Sequence, residues 1–312
     1  MKLTLYIFLT FFSIQLSYSQ SFNKDSVSII AYWEKGEKVL YELEKVRKET
    51  RNGQVTKDIK TNFFISFEVI EQTEEGYVLK YKYEKLKDKD ETQLEMLENL
   101  VGKFEYEIET SNTGVYLGLR NWEAIKANTE KMIDLAFSQS EMKDEEKKQA
   151  RAMIQGMFSS KAQIEAMANK DIAFLFQLYG YSFVTNQTIE YEESLPNVFG
   201  GQPFTGNSKI TFKWLDETYA KMESSLTLDP IKTKQAVKEM IMKMVEKAGN
   251  TNTEVAKEME KLTYDIKDEK YQIIDTTTGW LKESKFHRKT IVKQGDTEGT
   301  REDITFFRRK DN

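Results

Sequence analysis

One histidine and no cysteine among 312 residues bound the chemistry open to this chain. A hydrolytic triad needs a base, usually histidine, beside its nucleophile. His287 is the sole candidate, and it lies on the strand parity opposite Trp280 and Phe286, with Arg288 and Lys289 following. That pattern predicts a solvated strand position. Neither a Gly-x-Ser-x-Gly elbow nor a Ser-x-x-Lys pair occurs in a suitable context. Thiolate chemistry is excluded, and so is a zinc site made of several His or Cys ligands.

Carboxylates are plentiful, so an acid pair of the glycosidase kind is available by inventory. Asp216-Glu217, Glu192-Glu193 and Asp268-Glu269 are the nearest-looking pairs. All three are read at strand ends or turns, where acids stay hydrated. A calcium loop needs several spaced acids, whereas Asp275-Thr276-Thr277-Thr278-Gly279 holds one. Met240-x-Met242-x-Met244 has the soft ligands that copper(I) takes. On a helix, however, positions i and i+2 point about 200° apart, so Met240 and Met244 belong to an apolar stripe. Asn186-Gln187-Thr188 matches a glycosylation sequon, a motif too short to carry weight by itself. No metal or cofactor is expected.

Residues 1–19 have the form of a secretory signal: Lys2, an apolar run to Leu16, and Ser17-Tyr18-Ser19. Cleavage would leave Gln20 first and 293 residues, and would move the formal charge from −5 to −6. The apolar run is short for a membrane span, and without cysteine there is no lipobox to acylate. Mild acidity with interleaved signs argues against nucleic acid as a partner. The basic Arg308-Arg309-Lys310 end is read as strand solvation.

The elements that would position any site are mostly strands. Val55, Ile59, Phe63, Ile65, Phe67 and Val69 share one parity, and Tyr77, Leu79, Tyr81 and Tyr83 repeat the pattern after Gly76. Asn52-Gly53 is a hairpin turn signal. Residues 92–101 and 254–261 have helical spacing, and Asp229-Pro230 supplies an N-cap and first-turn proline for another helix. Asn121 is read as the cap opening a helical insertion over 121–180. Tyr106, Ile108, Thr113 and Gly114 recur at the same offsets as Tyr271, Ile273, Thr278 and Gly279. The repeat suggests two similar β halves, 37–120 and 187–309, within one α+β domain over 20–312. The fold class expected is a large curved antiparallel sheet, half-barrel-like, packed against inserted helices.

Five short stretches carry a resemblance: Ser17-x-Ser19 before Gln20, Tyr32-Trp33-x-x-Gly36, Asn121-Trp122-Glu123, Leu195-Pro196-Asn197-x-Phe199-Gly200-Gly201 and Thr278-Gly279-Trp280. Together they resemble uncharacterised exported β-rich proteins of the Bacteroidota, and imply export without naming an activity or a site residue. In architecture alone, a curved sheet covered by helices is similar to the LolA-type periplasmic lipid-binding folds.

The leading functional reading is a non-enzymatic binding protein of the cell envelope, periplasmic or secreted. It would hold a lipid or other apolar ligand between sheet and helices, against Phe63, Phe67, Tyr81, Phe104, Trp122 and Phe176. Eleven of the twelve methionines lie beyond Met1, mostly on expected helices, and suit adaptable apolar contact. The alternative is a structural or protein-interaction module with a closed core, meeting an envelope partner through the 195–204 loop. An acid-dependent hydrolase ranks third.

Overall fold

A computed structural model describes residues 24–87, 99, 105–195, 202–247 and 258–310. The fold is α+β, dominated by one antiparallel sheet of eleven strands. Its strands in chain order are β2 (Lys38–Arg51), β3 (Gln54–Gln72), β4 (Gly76–Lys87), β5 (Tyr106–Ser111) and β6 (Tyr116–Leu119). After the helical insertion come β8 (Thr188–Leu195), β9 (Phe204–Trp214), β10 (Tyr219–Leu228), β11 (Leu262–Asp275), β12 (Leu281–Gln294) and β13 (Thr297–Lys310). The spatial order is β6-β5-β4-β3-β2-β13-β12-β11-β10-β9-β8, so the sheet is open, with β6 and β8 at its edges. β1 (Ser26–Ile29) and β7 (Tyr181–Val184) form a separate two-stranded sheet.

The turn at Asn52-Gly53 forms as its sequence requires. Both residues take positive φ, 48° and 78°, which suits a two-residue hairpin loop. The β3 parity also holds, since Ile65, Phe67 and Val69 are buried. Val55 and Ile59 share that parity yet are 56% and 46% exposed, because the β2–β3 hairpin runs past the region that the helices cover.

The insertion forms three helices: α1 (Trp122–Ser138), α2 (Asp144–Met157) and α3 (Lys161–Phe176). A capping box starts α3, in which Ser160 Oγ accepts from the Gln163 amide and Gln163 Oε1 accepts from the Ser160 amide. Asn121 stands at the N-cap of α1 but does not cap it through its side chain. Its Oδ1 accepts instead from the Glu107 amide at 2.9 Å, and its Nδ2 donates to the Glu105 carbonyl. The residue ties the helix to β5. α4 (Pro230–Lys247) begins as expected, with Asp229 Oδ1 accepting from the Ile231 and Lys232 amides at 2.9 and 3.0 Å. Most of the 92–101 and 254–261 stretches lie outside the described residues; Glu258–Glu260 is helical.

The two matched turns meet the same segment of chain. The Ala31 amide donates to the Thr113 carbonyl at 3.1 Å, and the next amide, Tyr32, donates to the Thr278 carbonyl at 3.3 Å. In sheet order four strands separate β5 from β12, so a flat sheet would hold these turns about 24 Å apart. The sheet must curl until both reach consecutive amides. Each turn needs glycine there: Gly114 and Gly279 have φ of 89° and 78°. A Cβ at Gly279 would lie 2.4 Å from the Ile30 carbonyl oxygen, and one at Gly114 2.9 Å from the Ala31 Cβ.

Candidate binding site

Among the described residues, the curled sheet has a cavity on each face. On the core face, Trp33 sits at the centre of an aromatic layer. It stacks on Trp280 with ring centroids 4.8 Å apart, and Tyr77 and Tyr179 meet it edge-on at 5.3 Å. Phe67 reaches Tyr81 at 5.0 Å, Tyr41 at 5.8 Å and Phe176 of α3 at 6.1 Å. Fully burying a Phe-sized side chain contributes about 1.5–3 kcal/mol. Three polar tips within the layer have partners on the backbone and on one acid, whereas the buried Trp33 Nε1 has none among the described residues. Tyr41 donates to the Leu281 carbonyl at 2.8 Å, Tyr179 to the Gly279 carbonyl, and Trp280 Nε1 to Glu37 Oε1 at 2.7 Å. Burial raises both the Tyr41 and Tyr179 phenols above their usual range, so they remain donors.

Of the six residues expected to form an apolar wall, Phe67, Tyr81 and Phe176 join this layer and are buried. Phe63 and Trp122 are half-buried against it, with Phe63 5.4 Å from Tyr83. Phe104 lies outside the described residues. The void left among Trp33, Tyr41, Phe67, Phe176, Trp280 and Phe307 is about 20 Å3. That suits one water, against the roughly 300 Å3 or more of a small-molecule pocket.

On the opposite face, β8 to β12 enclose a trough of about 500 Å3. Antiparallel register sets its side chains in two rows. Thr188, Thr211, Glu223, Tyr271 and Lys285 are successive cross-strand partners. Glu190, Lys209, Ser225, Glu269 and His287 form the neighbouring row. Met222, Gln272 and Ser284, one residue away on three of these strands, are buried on the core face, so alternation turns the rows outward. Five strands span about 19 Å.

Most charges in the trough are already matched. Lys209 pairs with Glu190 at 2.7 Å. Glu223 receives Lys221 at 2.6 Å and Lys213 at 2.9 Å, and these hydrogen bonds hold its carboxyl below the usual range. Tyr271 donates to Glu283 Oε1 at 2.6 Å; burial first, then that carboxylate, raises its phenol. His287 takes the outward parity that the sequence indicates, yet its side chain is only 25% exposed, between Glu302 at 3.5 Å and Glu269 at 4.0 Å. Thr188 and Thr211 hydroxyls meet at 2.9 Å. Two lysines of the lining, Lys270 and Lys285, have no ion pair or hydrogen bond among the described residues; Lys270 lies over the Phe286 ring, 5.9 Å from its centroid, and Lys285 has no such ring contact.

One of the acid pairs behaves differently from the sequence reading. Asp268 is mid-strand and 2% exposed, held by both arms of Arg288 at 2.7 and 2.6 Å. It is therefore a buried ion-pair member rather than a hydrated end. Asp216 does sit in a turn, where Oδ1 accepts from the Thr218 and Tyr219 amides at 2.8 Å. Among the described residues, no group of three or more His, Asp or Glu is placed to hold a metal, and no helix is long and apolar enough to cross a membrane. Residues 196–201 of the 195–204 loop lie outside the described residues.

No family model matches the sequence, and no curated protein does. Among solved structures the chain is similar to lipovitellin, from a study of its lipid–protein interactions, at a TM-score of 0.40 and 10% identity over 89% of this chain. It spans 25% of that chain. It is also similar to Ail, the attachment invasion locus protein of Yersinia pestis, at a TM-score of 0.18 and 4% identity, covering 89% of this chain and all of that one. Likeness at this level carries no statement about ligand, so the functional argument rests on the chain's own geometry.

The trough left a trace in the sequence, since the outward parities of β9 to β12 are rich in Lys, Glu, Ser and Thr. Which strand neighbours which, and in what register, is long-range information that a single sequence does not print.

Proposed function

We propose that this is an exported, non-enzymatic binding protein of the bacterial cell envelope that engages its ligand in the outward trough. One observation carries the reading: the trough offers about 500 Å3 of open space between charged and hydroxyl-bearing side chains, whereas the aromatic layer leaves about 20 Å3. Export rests on the leader-like residues 1–19, and N-terminal sequencing of envelope material should begin at Gln20.

A second reading keeps the apolar ligand between sheet and helices. It is favoured by the composition of that layer, where Phe67, Tyr81 and Phe176 converge. It requires α3 to lift off the sheet and Phe176 to leave Phe67 and Trp33.

The lone histidine and the four tryptophans separate the two. The protein is titrated with the aqueous and the chloroform-soluble fractions of an envelope extract, while the His287 ring and Trp indole resonances are followed. The trough reading expects the aqueous fraction to move His287 and leave Trp33 and Trp280 in place. Chloroform-soluble material that moves Trp33 and Trp280 instead would establish the second reading.

A further inference from the structure

Resting on the trough reading, we infer that the ligand is an acidic saccharide, a polyhydroxylated chain whose carboxylate pairs with Lys285. Lys285 stands in the row of Tyr271 and Glu223 and is half-buried. Lys209, Lys213 and Lys221 each have a carboxylate within 2.9 Å, and Lys270 rests over the Phe286 ring, whereas Lys285 has neither kind of contact among the described residues. An ammonium in a concave wall, left without a counter-charge, gains most from an anionic group supplied by the ligand.

The remaining lining fits hydroxyls. Ser225 lies in the trough wall, and the Thr188–Thr211 pair retains one hydroxyl proton after its mutual bond. The Tyr271 oxygen, having donated to Glu283, can still accept. Donors and acceptors thus alternate along about 19 Å of row, as the two-way hydrogen bonding of sugar hydroxyls requires.

A peptide would be served poorly here. Extended peptides bind sheets through backbone hydrogen bonds at an edge strand. β9, β10, β11 and β12 are interior strands, paired on both sides, and of the trough's strands only β8, at its rim, has a free edge, so the floor offers side chains but no free ladder. A saccharide needs only the side chains.

The test is calorimetry with three probes: tetragalacturonate, its methyl ester and a hexaglutamate peptide. Wild type should bind tetragalacturonate, with the ester about tenfold weaker through loss of one charge-assisted contact. Lys285→Met should weaken tetragalacturonate by the same factor and leave the ester unchanged, since the cycle isolates that one pairing. An unchanged thermal midpoint confirms that the variant is folded. The assignment is overturned if wild type does not bind tetragalacturonate, if ester and acid bind alike, or if Lys285→Met binds the acid as wild type does. Tighter Lys285-dependent binding of hexaglutamate, with His287 shifts, would reject the saccharide class yet leave the trough reading standing. Envelope-derived ligand that shifts Trp33 and Trp280 but not His287 would reject the trough reading itself.

Discussion

On the face turned toward the helices, Trp33, Phe67, Phe176 and Trp280 fill their space to within about 20 Å3, and the tips of Tyr41, Tyr179 and Trp280 are hydrogen-bonded. On the face turned away, β8 to β12 leave about 500 Å3 open, with Lys285 unmatched. Four of these strands, β9 to β12, also present Phe212, Met222, Ile274 and Leu281 to the core, and along them alternation assigns each residue to one face or the other. Apolar surface that is fully packed supports stability. Polar surface that is concave and incompletely matched is where a ligand adds something the chain lacks. Substitutions on the two faces should therefore separate stability from binding.

The largest effect is expected at the centre of the closed face. Trp33 is 1% exposed, and Trp33→Ala should cost about 3–5 kcal/mol, read by denaturant unfolding. A stable variant would mean that the layer is loosely packed, which would favour the apolar-ligand reading.

Next comes the clasp at residues 30–32. Gly279 and Gly53 share a φ of 78°, but a Cβ meets the Ile30 carbonyl at 2.4 Å in the first and nothing within 4 Å in the second. Gly53→Ala should cost about 1 kcal/mol, and Gly279→Ala about 2–4 kcal/mol. Equal costs would show that backbone conformation alone requires both glycines.

A smaller effect concerns pH. Burial alone would raise the Asp275 carboxyl, but hydrogen bonds from Thr277 and Arg309 outweigh it and hold it below its usual 3.8. The Glu84 carboxyl, partly buried, is held below 4.5 by hydrogen bonds from Lys38, Ser66 and Lys82. Groups depressed in the folded state contribute stability that is complete above their unfolded values and is lost as pH falls through the folded ones. Unfolding free energy should therefore hold between about pH 7 and 5 and decline below about 4. Asp275→Asn should flatten part of that decline.

The smallest change in stability is expected in the trough. Lys285→Met should stay within about 0.5 kcal/mol of wild type, as an unpaired surface position does, while altering binding of a charged ligand. A large loss of stability there would make the trough a structural feature.

Much of the architecture was legible in the residues. Asn52-Gly53, the parity of Ile65, Phe67 and Val69, and the Asp229-Pro230 helix start are local signals and appear where they were read. Matched Thr113-Gly114 and Thr278-Gly279 were visible as a repeat, but their shared hold on Ala31 and Tyr32 was not, because it depends on the curl of the sheet. The Asn121 side chain was misassigned for the same reason: its partners, Glu105 and Glu107, belong to another element. Asp268 looked like one of two adjacent acids until Arg288 was found on the neighbouring strand. The aromatic residues announced a packed face, whereas the trough is defined by register across five strands, which only the folded chain displays.

The most direct test of a closed core facing an open trough is native mass spectrometry of protein recovered from a bacterial envelope, followed by organic extraction. The expected result is no mass that extracts as lipid, with any retained adduct released into the aqueous phase. A discrete lipid class extracted in stoichiometric amount would contradict the account and place the ligand between sheet and helices.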